Sequence, residues 1–329
     1  MELLCASAGG YPRIGDKPEQ QKLRRAINRV KKDKAIQSEL KAVEDEVVSE
    51  VIKEQDDAGL DIVTDGLIRW YDYISHFARK LEGIEIGGLL RIFNTNTLFR
   101  QPFVVNEIRR EKPLLVDEYR YAREQTSKPV KVVMTGPYSL AAASINKYSG
   151  YKNFESLVEK YTDIIAAEMK DLSAENVPVV QLDEPYILDY PDNLSFFSSC
   201  VEKISQEKGD TTLMLHSFFG DASICFDGFQ ELPIDILGID LTYSPKVIDL
   251  IEIDGSEKSL ALGLIDGRNT KMDDEKNILN ILERIIPKVK NGICHLMPSC
   301  SLEYLPRERA REKLVHMVHI KDLFSKGGS

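Results

Sequence analysis

Short apolar runs recur along this chain, and each one stops at polar, reactive side chains. Val179-Val180-Gln181-Leu182 runs into Asp183-Glu184-Pro185, Leu213-Met214-Leu215 into His216-Ser217-Phe218, and Ile236-Leu237-Gly238-Ile239 into Asp240. Leu262-Gly263-Leu264-Ile265 meets Asp266-Gly267-Arg268, and His295-Leu296-Met297-Pro298-Ser299 meets Cys300. Nearer the N-terminus, Asp61-Ile62-Val63-Thr64 precedes Asp65-Gly66, and Lys131-Val132-Val133-Met134 precedes Thr135-Gly136-Pro137. Runs of this kind are the pattern of parallel strands buried on both faces. In a (β/α)8 TIM barrel the C-terminal ends of such strands open at one mouth, where that architecture does its chemistry. Asp183, His216, Asp240, Asp266, Arg268 and Cys300 are therefore expected to converge.

Helical stretches separate the runs. Leu40, Val43, Val47, Val48, Val51 and Ile52 recur at helical spacing within 35–58, ahead of Gly59. Leu157, Tyr161, Ile164, Ile165, Met169 and Leu172 do so within 154–175, and 276–289 and 307–323 repeat the pattern. The alternation predicts a parallel sheet wrapped by helices. Nine runs qualify as strands, one more than a closed eight-stranded barrel needs. The surplus run, 90–105, reads as a hairpin or a loop excursion over the mouth. No Gly/Ser- or Pro-rich linker and no repeat interrupts the chain, so residues 1–329 are expected to form a single barrel domain.

Hydrophobic residues make up 43% of the chain, enough for a core of that size, and the net charge is −10. Such an acidic balance argues against a nucleic-acid or anionic-membrane partner, each of which requires a cationic face. No run approaches the ~18 apolar residues of a membrane span. Met1-Glu2-Leu3-Leu4 lacks the basic start of a signal peptide. The five cysteines, Cys5, Cys200, Cys225, Cys294 and Cys300, are unpatterned and read as reduced thiols of a cytoplasmic protein. Against the acidic whole, the segment after Gly10 is basic, with Arg13, Lys17, Lys22, Arg24, Arg25, Arg29, Lys31 and Lys32.

Four groups of residues carry candidate chemistry, and each has a plain structural alternative. Asp183 and Glu184 could orient a substrate amine, act as a base or bind a metal; they could equally cap the next helix. His216, Asp240 and Cys300 are the ligand types that Zn²⁺ takes, and a catalytic zinc needs three protein ligands and an open position. They carry no local spacing signature, and the alternative is a hydrogen-bonded core histidine with an inert buried thiol. Arg13, Lys17 and Lys22, with Arg91, could clamp the carboxylates or phosphates of a ligand, or lie on a solvated helix face. Trp70 and Asp72, with Asn94 and Asn96, could stack on and hydrogen-bond a planar heterocycle, or pack the barrel rim.

In this order the segments resemble the cobalamin-independent methionine synthase family. Gly10-Tyr11-Pro12-Arg13-Ile14-Gly15 resembles its GFPRIG opening, and Gly66 through Trp70-Tyr71-Asp72 resembles GDFxWYDH. Arg91 to Asn96 resembles KWFxTN, and Gln181 to Pro185 resembles QIDEP. Leu262 to Asn269 resembles LGVVDGRN, and Pro298 to Leu302 matches PSCSL. Full-length members carry two related barrels, and these motifs are most similar to the N-terminal one, which helps hold the folate. The C-terminal one holds zinc and homocysteine.

The resemblance implies a methyltransferase of methionine biosynthesis, moving a methyl group from a 5-methyltetrahydrofolate-like donor to homocysteine. It implies Asp183 and Asp266 in catalysis, and His216, Asp240 and Cys300 at zinc. It places Arg13, Lys17, Lys22, Trp70, Asp72, Arg91, Asn94, Asn96, Glu184 and Arg268 at the substrates. Departures from the family pattern bear on this. The catalytic half carries an HxC zinc pair, but Phe218 stands two positions after His216. Asp240 replaces a glutamate, Leu67 a homocysteine-gripping glutamate, and Gly267-Arg268 an expected histidine; of a folate-tail RELK segment only Glu19 is kept. The chemistry needs a thiol made nucleophilic, which zinc does by binding it as thiolate, and a proton for the departing tertiary amine. The chain is therefore read either as self-sufficient or as the donor-side subunit of a separate catalytic barrel. The alternatives are a non-catalytic pterin-binding or scaffolding barrel, or a methyltransferase using a corrinoid or other carrier.

Overall fold

The computed structural model describes residues 2–32, 37–93, 95 and 97–327; Asn94 and Asn96 lie outside them. Its strands are β1 (Glu2–Cys5), β2 (Glu82–Arg91), β3 (Leu98–Arg109), β4 (Lys131–Thr135), β5 (Ile145–Asn146), β6 (Val179–Asp183), β7 (Thr212–Ser217), β8 (Ile236–Asp240), β9 (Ser259–Ile265) and β10 (Ile293–Pro298). Seven of them pair in the order β1-β10-β9-β8-β7-β6-β4, every pair parallel. Residues 62–63 fill the gap between β1 and β4, bridging Ala6 on one side and Val130 on the other. Ser7 N–H donates to Ile62 O at 3.1 Å, and Lys131 N–H donates to Val63 O at 2.8 Å. The ring closes at eight members, giving the expected (β/α)8 TIM barrel. The surplus run belongs to a hairpin: β2 and β3 pair antiparallel and β5 adds to β3 in a small separate sheet.

The helices are α1 (Lys22–Lys32), α2 (Gln37–Ala58), α3 (Ser75–Ala78), α4 (Val116–Arg123), α5 (Pro137–Ala142), α6 (Phe154–Ala174), α7 (Leu194–Ser205), α8 (Phe226–Gln230), α9 (Pro245–Asp254), α10 (Glu275–Ile285) and α11 (Arg307–Gly327). Local chemistry sets their ends. α6 starts where Asn153 Oδ1 accepts the Ser156 N–H at 2.9 Å, and it stops before Asn176, which takes a left-handed φ of 57°. α10 ends earlier than its apolar periodicity suggests. Pro287 has no N–H to extend the ladder, and the chain tightens into a 3₁₀ turn over Ile286–Lys288. Among the described residues no helix is long and apolar enough to cross a membrane.

Strand alternation sorts the side chains. Ala6, Ile62, Val179, Met214, Ile236, Ala261 and Met297, each from a different barrel strand or its edge, fill the barrel interior as a cluster of their own. Their neighbours Val180, Leu213, Leu215, Leu237, Leu260 and Leu296 belong to the larger core that includes the helices. Two or four residues farther along, on the same inward face, come Gln181 and Asp183 on β6, His216 on β7, and Gly238 and Asp240 on β8. The apolar plug below thus leaves only polar strand ends at the mouth. β4 breaks the pattern: Lys131, in register with Val179, is 1% exposed.

Candidate active site

β6 and β7 end in register, with Asp183 beside His216. Asp183 Oδ1 lies 3.3 Å from His216 Nδ1 and accepts from Gln181 Nε2 at 2.7 Å. Gln181 Nε2 also donates to Ala8 O at 2.9 Å and lies 3.2 Å from His216 Nδ1. The amide N–H groups thus face Ala8 O, Asp183 Oδ1 and His216 Nδ1 together. The opposite end of the amide accepts from the Lys131 ammonium. Burial pulls the Lys131 pKa down to about 7, with the Asp183 charge opposing. His216 Nε2 is buried without a hydrogen-bond partner. Gly238 gives the ring its space, since a Cβ there would lie 3.1 Å from His216 Cδ2. Phe218 packs on the ring with centroids 5.0 Å apart.

Asp240 is fully buried and heavily engaged. Oδ1 accepts from Thr242 N at 3.0 Å, Tyr243 N at 3.2 Å and the Thr242 hydroxyl. Oδ2 faces Arg268 Nη2 at 3.3 Å and Phe219 N at 3.5 Å. Arg268 also donates to Thr242 Oγ1 at 2.8 Å. It lies flat over Tyr243, 3.5 Å from the ring centroid, and its Nε is buried without a hydrogen-bond partner. Burial pushes the Asp240 carboxyl up, while the Thr242 hydroxyl and Arg268 pull it back. Cys300 is fully buried, and its Sγ donates to Ser301 O at 3.6 Å. Burial, and after it the Asp240 charge, holds its thiol well above the ordinary range.

His216, Asp240 and Cys300, expected at zinc, are not gathered into one cage. Among the described residues no three His, Cys, Asp or Glu side chains come together as a metal cage. Both oxygens of Asp240 are engaged by donors, one of them a guanidinium, and the buried Cys300 thiol is directed at Ser301 O. As arranged, the three side chains do not form a zinc cage.

The remaining expected residues divide. Glu184 takes its helix-capping reading: it accepts from Tyr138 N at 2.9 Å, Ser139 N at 2.8 Å and Ser139 Oγ at 2.6 Å, at the start of α5. Burial lifts it to about 7 against those donors. Asp72 likewise caps α3, accepting from Ile74 N at 3.0 Å and Ser75 N at 2.6 Å, and it also accepts from Arg100 N at 3.2 Å. Trp70 stacks on His76 at 4.5 Å, donates to Glu118 at 3.2 Å and is 3% exposed, so its ring is already covered. Lys17 pairs with Glu308 of α11 at 3.0 Å, and Lys22 of α1 with Glu46 at 2.6 Å and with Glu50 of α2. Arg13 lies over the Tyr71 ring at 5.3 Å; burial lowers its pKa, with Glu303 opposing. Arg91 ends β2, exposed. Asp266 accepts the Arg268 N–H at 2.9 Å.

Residues 12–322 match the family model described as "Cobalamin-independent synthase, Catalytic domain". The chain belongs to the cobalamin-independent methionine synthase family. A methionine synthase of Saccharolobus solfataricus is 30% identical over 308 residues, covering 93% of this chain and 91% of that protein. One from Sulfurisphaera tokodaii is 29% identical over 309 residues, covering 93% and 89%. The solved B12-independent methionine synthase of Shewanella sp. W3-18-1, in complex with selenomethionine, superposes with a TM-score of 0.82 at 20% identity over 99% of each chain. At that identity the superposition speaks for the fold.

Three residues of this methionine synthase family member build the site without standing out in the sequence: Lys131, Gln181 and Gly238. Two carried a signal. A lysine at the head of Lys131-Val132-Val133-Met134 and a glutamine inside Val179-Val180-Gln181-Leu182 are polar groups in runs that must be buried on both faces. Such groups need partners, and here they partner each other.

Proposed function

We propose that this chain is a methyltransferase of methionine biosynthesis. It transfers a methyl group from a 5-methyltetrahydrofolate-like donor to the sulfur of homocysteine, with residues 1–329 acting as one barrel domain in the cytoplasm. The observation that carries the reading is the pair Asp183–His216 at the mouth of a methionine-synthase barrel, with the histidine Nε2 left without a partner. Asp183 is the anionic group suited to a substrate ammonium, and Arg268 the cationic group suited to its carboxylate. Asp266 fixes the turn that carries Arg268. On the donor side, Arg13 with Tyr71, and the exposed Arg91, are suited to a flat, acidic pterin conjugate.

The test is methionine formation from homocysteine, followed by mass spectrometry with mono- and triglutamyl 5-methyltetrahydrofolate. Asp183→Asn is expected to lower kcat by roughly 10²-fold or more. Arg13→Ala and Arg91→Ala are expected to raise the donor KM with kcat nearly unchanged. No methionine with either donor would refute the reading.

A second reading, as the donor-side subunit of a split enzyme, is favoured by the engaged Asp240 and by Phe218 standing where a zinc cysteine would be. Methionine formation only after addition of a separate catalytic barrel would select it.

A further inference from the structure

We infer that Lys131 and Gln181 are positioning residues for the substrate amino group: Lys131 fixes the Gln181 amide, and the amide sets the Asp183 carboxylate that receives the ammonium. The inference rests on the reading of Asp183 as the group that takes the ammonium of homocysteine.

A lysine is out of place at this level of the barrel. Val179, its partner in register on β6, and Met214 on β7 are apolar there. Lys131 Nζ donates to Gln181 Oε1 and reaches Met214 Sδ at 3.9 Å. A thioether is a weak acceptor, so the amide oxygen is the one strong partner of this buried cation among the described residues. Taking an ammonium out of water is costly, and an apolar side chain would fill the space without that penalty. What the lysine adds is a donor at one end of the Gln181 amide.

That donor decides which way the amide points. Gln181 is fully buried, and its Nε2 faces Ala8 O at 2.9 Å and Asp183 Oδ1 at 2.7 Å, a carbonyl and a carboxylate that only accept. Lys131 has N–H groups to give whether or not it is protonated. With the amide ends exchanged, the oxygen would face two acceptors and the NH2 group a donor, so the three partners allow one orientation. The amide holds Asp183 by Oδ1, and Oδ2 takes no hydrogen bond among the described residues. Oδ2 is the atom left for a substrate ammonium. Without the lysine, the amide oxygen is buried with no donor. The terminal torsion of glutamine is soft, so the amide turns and Asp183 turns with it. Ammonium–carboxylate contacts are short, and a small misplacement weakens them.

The experiment is calorimetric titration of the full chain with homocysteine and with mercaptobutanoate, which is homocysteine without its amino group. Both ligands carry the same thiol and carboxylate, so the ratio of their Kd values isolates the ammonium. The wild type is expected to favour homocysteine by about tenfold or more, and Asp183→Asn to lose that preference. Lys131→Met and Gln181→Met are expected to lose most of it while binding mercaptobutanoate as the wild type does. Lys131→Met added to Asp183→Asn should change the ratio no further. A merely structural role would weaken both ligands alike. That result, or a preference kept in either variant, overturns the inference and leaves Asp183 as the group that takes the ammonium. Equal binding of the two ligands by the wild type, or binding of neither, overturns the reading of Asp183 and the inference with it. If Lys131→Met fails to fold, Gln181→Met decides, since a preference kept there breaks the relay at its middle link.

Discussion

Arg268 stands 3.3 Å from Asp240 with its guanidinium face on Tyr243. This pair explains how a carboxylate with no exposure is tolerated at the barrel mouth. Breaking a buried pair from one side leaves an uncompensated charge, which costs about 3–5 kcal/mol. Arg268→Met should therefore destabilise the fold by roughly that amount. Asp240→Asn combined with Arg268→Met should cost less than the sum of the two single changes. Urea unfolding of the four proteins measures both.

Glu184 closes the N-terminus of α5 with three accepted hydrogen bonds. Glu184→Gln replaces one accepting oxygen with a donor that faces N–H groups. A loss of about 1–3 kcal/mol is expected, with little change in the KM for homocysteine. Denaturant midpoints and steady-state kinetics separate this from a substrate-binding role.

His295 sits inside the barrel, 4% exposed, with burial and the nearby Lys131 charge lowering its pKa to about 4. The unfolded chain, near 6.5, binds the proton first as pH falls. Stability is therefore complete above about 6.5 and declines toward pH 4. Each tenfold difference in proton affinity between the folded and unfolded chain is worth roughly 1.4 kcal/mol, so His295 accounts for up to about 3 kcal/mol of that decline. His295→Leu should flatten the curve in this window, as read from urea midpoints at about pH 7 and about pH 4.5.

Gly238→Ala would press a methyl group on the His216 ring, where a Cβ has 3.1 Å of room to Cδ2. The ring and its Nε2 must shift by a few tenths of an ångström. We expect a stability loss of about 1–3 kcal/mol and a kcat loss beyond about tenfold. Urea midpoints and steady-state methionine formation measure the two effects separately.

The barrel was legible from the runs themselves, because a strand buried on both faces has to be apolar throughout and has to stop where polarity returns. Residues 62–63 show the limit: the run was visible, but its pairing narrows to two bridges. The surplus run was readable as a hairpin or a loop excursion, and the antiparallel pair of β2 and β3 selects the hairpin; its partner strand was not readable, since a single strand carries no record of its partner. At the site, the residue types were readable and their partners were not. Asp240 and Arg268 lie on different strand ends, so nothing local in the sequence says that one neutralises the other. Glu184 and Asp72 looked like substrate residues because a carboxylate after a strand or loop fits that role and a helix cap equally well.

The most direct test of the account is methionine formation from homocysteine, followed by mass spectrometry with mono- and triglutamyl 5-methyltetrahydrofolate while elemental analysis reports the zinc in the same protein. The expected result is methionine from one of these donors, and its loss in Asp183→Asn. No methionine with either donor, with or without added zinc, would contradict it.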